Sequence, residues 1–166
     1  MRSALDELFR HNLWATLRLL QACAALNDEQ MAASAPGTYG SVRDTLVHIA
    51  AAEARYVAVL SGQDPQQAGE EIAWESEPFP GVEDLRERVR RSNEALVAFV
   101  QGHDPEQVLR GDFRGQTYEM SVSVPLLQAI NHATEHRAHV MTVLSQCGVE
   151  PPMLDGWTYW RTGGRP

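Results

Sequence analysis

The sequence predicts an all-α protein, a four-helix bundle with one long crossover connection between its second and third helices. Three observations predict it. Four stretches repeat apolar residues at spacings of three and four. The segment between the second and third of them, from Gln63 to about Gly81, is longer than a usual bundle turn and contains Asp64-Pro65 and Pro78-Phe79-Pro80. Finally, 166 residues of which 43% are hydrophobic suffice for one full core but not for two comfortable ones, so residues 1–166 read as a single domain.

The first helix runs roughly from Ser3 to Leu26, with Leu5, Leu8, Phe9, Leu13, Leu17 and Leu20 forming one apolar stripe. Asn27 and Asp28 break it, and Ala32 to Gly40, rich in Ala, Ser, Pro and Gly, reads as a loop. The second helix starts at Ser41, a good N-cap, and Asp44 three residues on supports a capping box with Asp in place of the usual Glu. It runs through Leu60 and stops at Ser61-Gly62, with Leu46, Ile49, Ala50, Glu53, Tyr56, Val57 and Leu60 on its inner side. The connection that follows is long enough to cross the bundle, which lets the second and third helices run parallel. The third helix spans about Val82 to Gln101, with Leu85, Val89, Leu96 and Phe99 inside, and Gly102 and Asp104-Pro105 end it. Gly111 to Ser123 reads as irregular or weakly extended. Phe113, Tyr118, Met120, Val122 and Val124 keep an alternation suited to a short hairpin, with Arg114-Gly115-Gln116 near the turn. The fourth helix runs from about Val124 to Gln146, with Pro125 in its first turn and Gly148 where a C-terminal glycine belongs. Pro151-Pro152 and an aromatic cluster of Trp157, Tyr159 and Trp160 follow.

A net charge of −8 argues against nucleic acid as a partner, because a phosphate-binding surface needs clustered Lys and Arg. The one basic cluster, Arg86, Arg88, Arg90 and Arg91, alternates with Glu83, Asp84, Glu87 and Glu94, the pattern of a solvated helix face. Cys23 and Cys147 form no spaced motif and sit in apolar helical stretches, which reads as buried free thiols in a reducing compartment. The opening stretch has no signal-peptide pattern, and no run approaches about 18 apolar residues. A cytoplasmic protein without a membrane span is the expectation.

Chemistry concentrates in the histidines. His132, His136 and His139 share the fourth helix, and at about 100° per residue all three point in nearly one direction. His132 and His136, at i and i+4, can bring both imidazoles to one ion, and His48, inside the apolar pattern of the second helix, can supply a third nitrogen. Three neutral imidazoles with an open position suit a catalytic divalent ion, with zinc, nickel or iron foremost and copper also compatible. The bland alternative is that these are core histidines whose ring N–H groups are satisfied; the HExxH motif of zinc hydrolases is absent. His11 and His103 read as exposed or terminal. Glu53 points about 140° away from His48 and reads as an inter-helix partner, with Arg137 as its candidate. Arg137 itself suits an ion pair or a substrate carboxylate. His139 is open as a fourth ligand, a group behind the ligands or a general base.

Three stretches then stand out together: His11-Asn12-Leu13-Trp14-Ala15 in the first helix; Gly40 to Ile49 with Glu53 following; and Asn131-His132-Ala133-Thr134-Glu135-His136-Arg137 before Gly148-Val149-Glu150-Pro151-Pro152. In these stretches, which come in order and cover almost the whole chain, the sequence resembles the DinB family, within the DinB/YfiT-like group of metalloenzymes. The resemblance implies a four-helix bundle of down-up-up-down type, often a homodimer, and a metal triad that maps onto His48, His132 and His136. One departure is visible: where the family often continues His-Arg-Gly-Gln, this chain has His136-Arg137-Ala138-His139.

The resemblance also implies an enzyme that uses a low-molecular-weight thiol such as mycothiol, bacillithiol or glutathione, an S-transferase acting on a small-molecule substrate. A metal-dependent hydrolase would use the same site. Two other classes stay open: a metal- or ligand-binding stress-response protein without turnover, and a helical interaction scaffold whose histidines are ordinary core residues. Metal content separates the last from the others, and turnover separates the first two. No residue of the sequence marks itself as the catalytic acid or base.

Overall fold

A computed structural model describes residues 3–113 and 115–165. In chain order the elements are α1 (Ala4–Cys23), α2 (Asp28–Ala32), α3 (Val42–Leu60), α4 (Pro65–Glu71), a 3₁₀ turn (Trp74–Ser76), α5 (Val82–Gly102), β1 (Val108–Phe113), β2 (Gln116–Ser121), α6 (Ser123–Gln146) and α7 (Gly156–Arg161). The protein is thus mostly helical with one small two-stranded sheet, and α1, α3, α5 and α6 are the four long helices expected. Helices α1 and α3 each pack against both α5 and α6.

The helix starts follow their capping chemistry. Ser3 Oγ accepts from the Asp6 backbone N–H at 3.1 Å, and Asp6 and Glu7 place negative charge in the first turn of α1. Ser41 and Asp44 form the expected capping box: the Asp44 N–H donates to Ser41 Oγ and the Ser41 N–H to Asp44 Oδ2. Gly148, at φ 71°, follows the end of α6 in the left-handed conformation that glycine adopts at least cost.

One expected feature differs, and two segments to which the sequence assigns no element are helical. First, α1 stops at Cys23, and Asn27, read as a breaker, starts α2 through a reciprocal capping box with Gln30. Second, the long connection between α3 and α5 carries helical structure. Asp64 caps α4 by accepting from the Gln66 and Gln67 N–H groups, with Pro65 at the first helical position, and the 3₁₀ turn follows. Third, the tail forms a helix. Asp155 caps α7, and three contacts tie the tail to α1. The Tyr159 hydroxyl donates to Glu7 at 2.7 Å, Trp14 Nε1–H to the Arg165 carbonyl at 3.0 Å, and His11 Nε2–H to the Leu154 carbonyl at 2.9 Å.

The expected hairpin is present, with Gly111 opposite Tyr118 and Phe113 opposite Gln116. Arg114, read as part of its turn, lies outside the described residues. Asp112 Oδ1 accepts from the Gly115 N–H at 2.8 Å across that turn.

The core has two apolar clusters. One gathers Leu19, Leu20, Leu46, Val47, Leu85, Val89, Val140 and Val143, and the other Phe9, Leu60, Leu96, Val122, Leu126 and Ala129. On α1, α3 and α6 a buried polar residue falls in sequence between the two: Asn12, Glu53 and Arg137. Leu8, expected inside the α1 stripe, is 48% exposed, because the stripe is wider than the contact α1 makes. No helix among the described residues is long and apolar enough to cross a membrane.

Candidate metal centre

Packing of α3 along α6 sets His48 opposite His132 and His136. The capping box at Ser41 fixes where α3 begins. Val47 and Ile49, 5% and 1% exposed, anchor the turn that carries His48, which leaves His48 itself half-buried at the α6 interface. One turn separates His132 from His136, so their rings leave α6 on one side, with centroids 4.3 Å apart. The His48 ring lies 4.8 Å from each of them. One ligand-capable atom from each of the three residues lies within 4.8 Å of the others.

Individual atoms fit a shared cation. Nε2 of His48 and Nε2 of His132 face each other at 3.0 Å. Two nitrogens on one tetrahedral ion, each at about 2.1 Å, are separated by roughly 3.4 Å, so only a small spreading is needed. His136 Nδ1 is buried with no hydrogen-bond partner. His48 Nδ1–H donates to Glu75 Oε1 at 3.0 Å, which leaves its Nε2 as a lone-pair donor pointed at the cluster. Glu75 is held in turn by the Arg55 guanidinium. Burial pushes the Glu75 carboxyl up, but the hydrogen bonds from Arg55 and His48 outweigh it and hold the group below the usual carboxylate range. Burial, with the neighbouring imidazoles His136 and His48, pushes His132 down to about 4. Burial and His48 also lower His136. Both are therefore neutral at pH 7, the form in which imidazole binds a metal.

Aromatic rings frame the cluster. The Tyr39 ring stacks on His48 at 4.0 Å and meets His136 edge-on at 5.2 Å, and Tyr56 stands 6.1 Å from His132. Beneath it lies the buried polar layer. Arg137 donates to Asn12 Oδ1 at 2.6 Å and to Thr16 Oγ1 at 3.0 Å, and Asn12 Nδ2 donates to Glu53 at 2.5 Å. Glu53 and Arg137 are thus linked across helices as the sequence suggested, but through Asn12. Burial raises Glu53 and lowers Arg137, and the charge of each opposes the shift of the other. Arg137 is buried and committed to this layer, which favours the structural role over a substrate contact.

The remaining histidines divide. His139 lies 5.2 Å from His136 ring to ring, outside the three-residue group, and its Nδ1 is buried without a partner. His103 is exposed as expected, stacked on Phe99 at 3.9 Å. His11 is not exposed. It is wedged between Trp14 and Tyr159, with centroids 5.6 and 5.4 Å away, because the tail helix folds back over it. The arginines of α5 pair along their own helix, Arg86 with Glu83, Arg88 with Asp84 and Arg91 with Glu87, but only Arg91 is solvated as expected: Arg86 and Arg88 are partly buried, and Arg88 also lies over the Trp74 ring at 4.4 Å. Cys23 is buried as expected, and Cys147, at the end of α6, only partly. A recess of about 960 Å³ between α1 and α7 contains none of the three clustered histidines.

Spacing alone gives no site role to Glu75, Tyr39, Arg55 or Asn12. Glu75 and Tyr39 sit in segments without periodicity, 27 and 9 positions from His48, so no spacing rule connects them to it. Asn12 belongs to the family-like stretch of the first helix, and as a polar residue inside an apolar helical stripe it carries a signal of a buried polar contact.

A helical fold with three imidazoles converging between two helices defines a class of protein with a histidine cluster that could hold a metal ion. Comparison narrows this to a family: the DinB family model matches residues 1–164, and the chain belongs to the DinB family. It is similar to Protein DinB of Bacillus subtilis (strain 168), with 22% identity over 160 residues, covering 92% of this chain and 91% of that one. In fold it is similar to the crystal structure of a DinB-like protein from Bacillus cereus ATCC 10987. That match has a TM-score of 0.64 and 21% identity, covering 90% of this chain and 94% of the other.

Proposed function

We propose that the chain holds one divalent metal ion on His48, His132 and His136 and uses it to react a small-molecule substrate, as a low-molecular-weight-thiol-dependent S-transferase or a metal-dependent hydrolase. One observation supports this above the rest: three imidazoles from two helices converge within 4.8 Å. A bound divalent ion would act there as a Lewis acid and lower the pKa of a thiol or water that reaches it. The chain's own residues do the remainder. Glu75 fixes the ring orientation and tautomer of His48, and Arg55 holds Glu75. Tyr39 shields one side of the cluster from water. In the transfer, the thiol's proton passes to solvent, its sulfur forms a bond to an electrophilic carbon of the substrate, and the bond from that carbon to the leaving group breaks, the leaving group taking the bonding pair.

A second reading, metal or ligand binding without turnover, draws on Glu75. The carboxylate that touches a ligand histidine is already committed to His48 and Arg55, and so is poorly placed as a general base.

Elemental analysis of protein purified without a histidine tag tests the metal claim. We expect close to one zinc, nickel or iron ion per chain, lost in His48→Ala and His136→Ala and kept in His11→Ala. A metal content near zero in the folded wild-type protein sinks the proposal. Turnover of a panel of thiols with alkyl halides and epoxides, set against ester hydrolysis, then separates transferase from hydrolase, and silence in both favours the second reading.

A further inference from the structure

Two recesses adjoin the histidine cluster, and they differ in chemistry. One shares Tyr39 and Glu75 with the surroundings of His48 and is lined by the charges of Arg43, Asp44 and Glu77. The other lies between α3, the start of α6 and the hairpin, a cavity of about 420 Å³. Val59, Leu109, Tyr118, Met120 and Val124 line it, and none of its described lining residues carries a charge. That volume falls in the range of small-molecule sites, which are mostly apolar with a few placed polar groups.

The apolar cavity connects to the histidines through a defined pair. Tyr56 lines it, and the Tyr56 ring stands 6.1 Å from that of His132. Gln128 lines it too, four residues before His132 on α6, and its side chain lies beside the Tyr56 hydroxyl. The cavity wall at Gln128 is thus four residues, about 6 Å along α6, from His132. Its outer wall is fixed by the hairpin. Tyr118 lies across Gly111 on the opposite strand so closely that a Cβ at position 111 would sit 2.5 Å from the Tyr118 hydroxyl oxygen and 2.7 Å from Cζ. Glycine at 111 is what lets this aromatic wall lie down on the strand.

We propose that this cavity is the subsite for the apolar body of the substrate, whose polar head reaches the three histidines past the Tyr56–Gln128 pair. The inference rests on the metal reading above and adds a substrate class: an electrophile or ester with an alkyl or aryl body attached by a short link to its reacting group. A fully polar substrate would leave the cavity walls facing water, whereas an apolar body gains affinity with each carbon buried.

Isothermal titration of the zinc-loaded protein with straight-chain hydroxamic acids, from acetohydroxamate to octanohydroxamate, tests it. Zinc content is measured first, so a failure of the metal reading is seen before any hydroxamate is added. The dissociation constant is expected to fall by about fourfold per added methylene once the chain passes Tyr56. Val59→Glu and Leu109→Asn, two substitutions on different walls, should flatten that dependence while zinc content and thermal midpoint confirm the fold. A flat series in the wild-type protein, or an unchanged slope in both variants, overturns the proposal. A second readout needs no metal: 1-anilinonaphthalene-8-sulfonate bound to the apo protein should be displaced by octanoate and not by acetate, and this displacement should be lost in Val59→Glu. Equal behaviour of the two carboxylates overturns the subsite whatever the metal content.

Discussion

His48 and His11 each spend one ring nitrogen on a fixed oxygen, and the consequences differ with the partner. His48 Nδ1–H donates to a carboxylate and presents Nε2 to the cluster, whereas His11 Nε2–H donates to the Leu154 carbonyl and serves only to dock the tail. Burial lowers the pKa of His11 from its ordinary 6.5, with the Leu154 bond opposing the shift. Between that lowered value and 6.5 the unfolded chain binds more protons than the native one. The stability this residue contributes is therefore full above pH 6.5 and is lost as the pH falls from there through the folded-state value. Denaturant unfolding at pH 7.5 and pH 5.5 should show a larger loss on acidification in the wild type than in His11→Gln, whose amide can still donate to Leu154. Equal losses would mean that His11 is uncharged in neither state or in both alike.

The helices owe their positions to a few capping residues and to where apolar faces meet. Ser41 and Asp44 satisfy donors at the start of α3, two turns before His48. Ser41→Ala should cost about 1 kcal/mol, read as a fall of roughly 2–4 °C in the thermal midpoint for a chain of this size. The same logic explains which elements were legible. The four long helices carry periodicity over five or more turns, and the hairpin carries alternation around Gly115. Short α2, α4 and α7 bury only Met31, Ala68 and Thr158 respectively, too few contacts to imprint a period. Their caps, Asn27, Asp64 and Asp155, with Pro65 at the first position of α4, are the local signals they carry.

At the scale of the whole molecule, a cation bound between α3 and α6 ties together helices that are distant in sequence and stabilises the native state by mass action. Zinc at about 100 times its dissociation constant should add roughly 2.7 kcal/mol, a rise of about 5–10 °C in the thermal midpoint. Chelation with EDTA should reverse the rise, and His132→Ala should abolish it. A zinc-independent midpoint in the wild type would contradict binding to the folded state. The polar layer of Asn12, Glu53 and Arg137 works at this scale too. It joins α1, α3 and α6 at one height, where sliding any of these helices would strand a buried charge.

The sequence by itself determined the long helices, the hairpin and which histidines share a face, because periodicity and capping are local and one turn of helix fixes the direction of His136 relative to His132. It also marked His48 as a third candidate, by its place in an apolar stripe. Only the tertiary structure decided that the three rings converge, that Glu75 from the 3₁₀ turn and Tyr39 from the loop before α3 hold His48, that Asn12 stands between Glu53 and Arg137, and that an apolar cavity lies between α3, α6 and the hairpin. Those contacts join residues 27 to 125 positions apart, Tyr39 and its neighbour His48 excepted. Distances over such separations are set by how whole helix faces pack, and no local pattern encodes them.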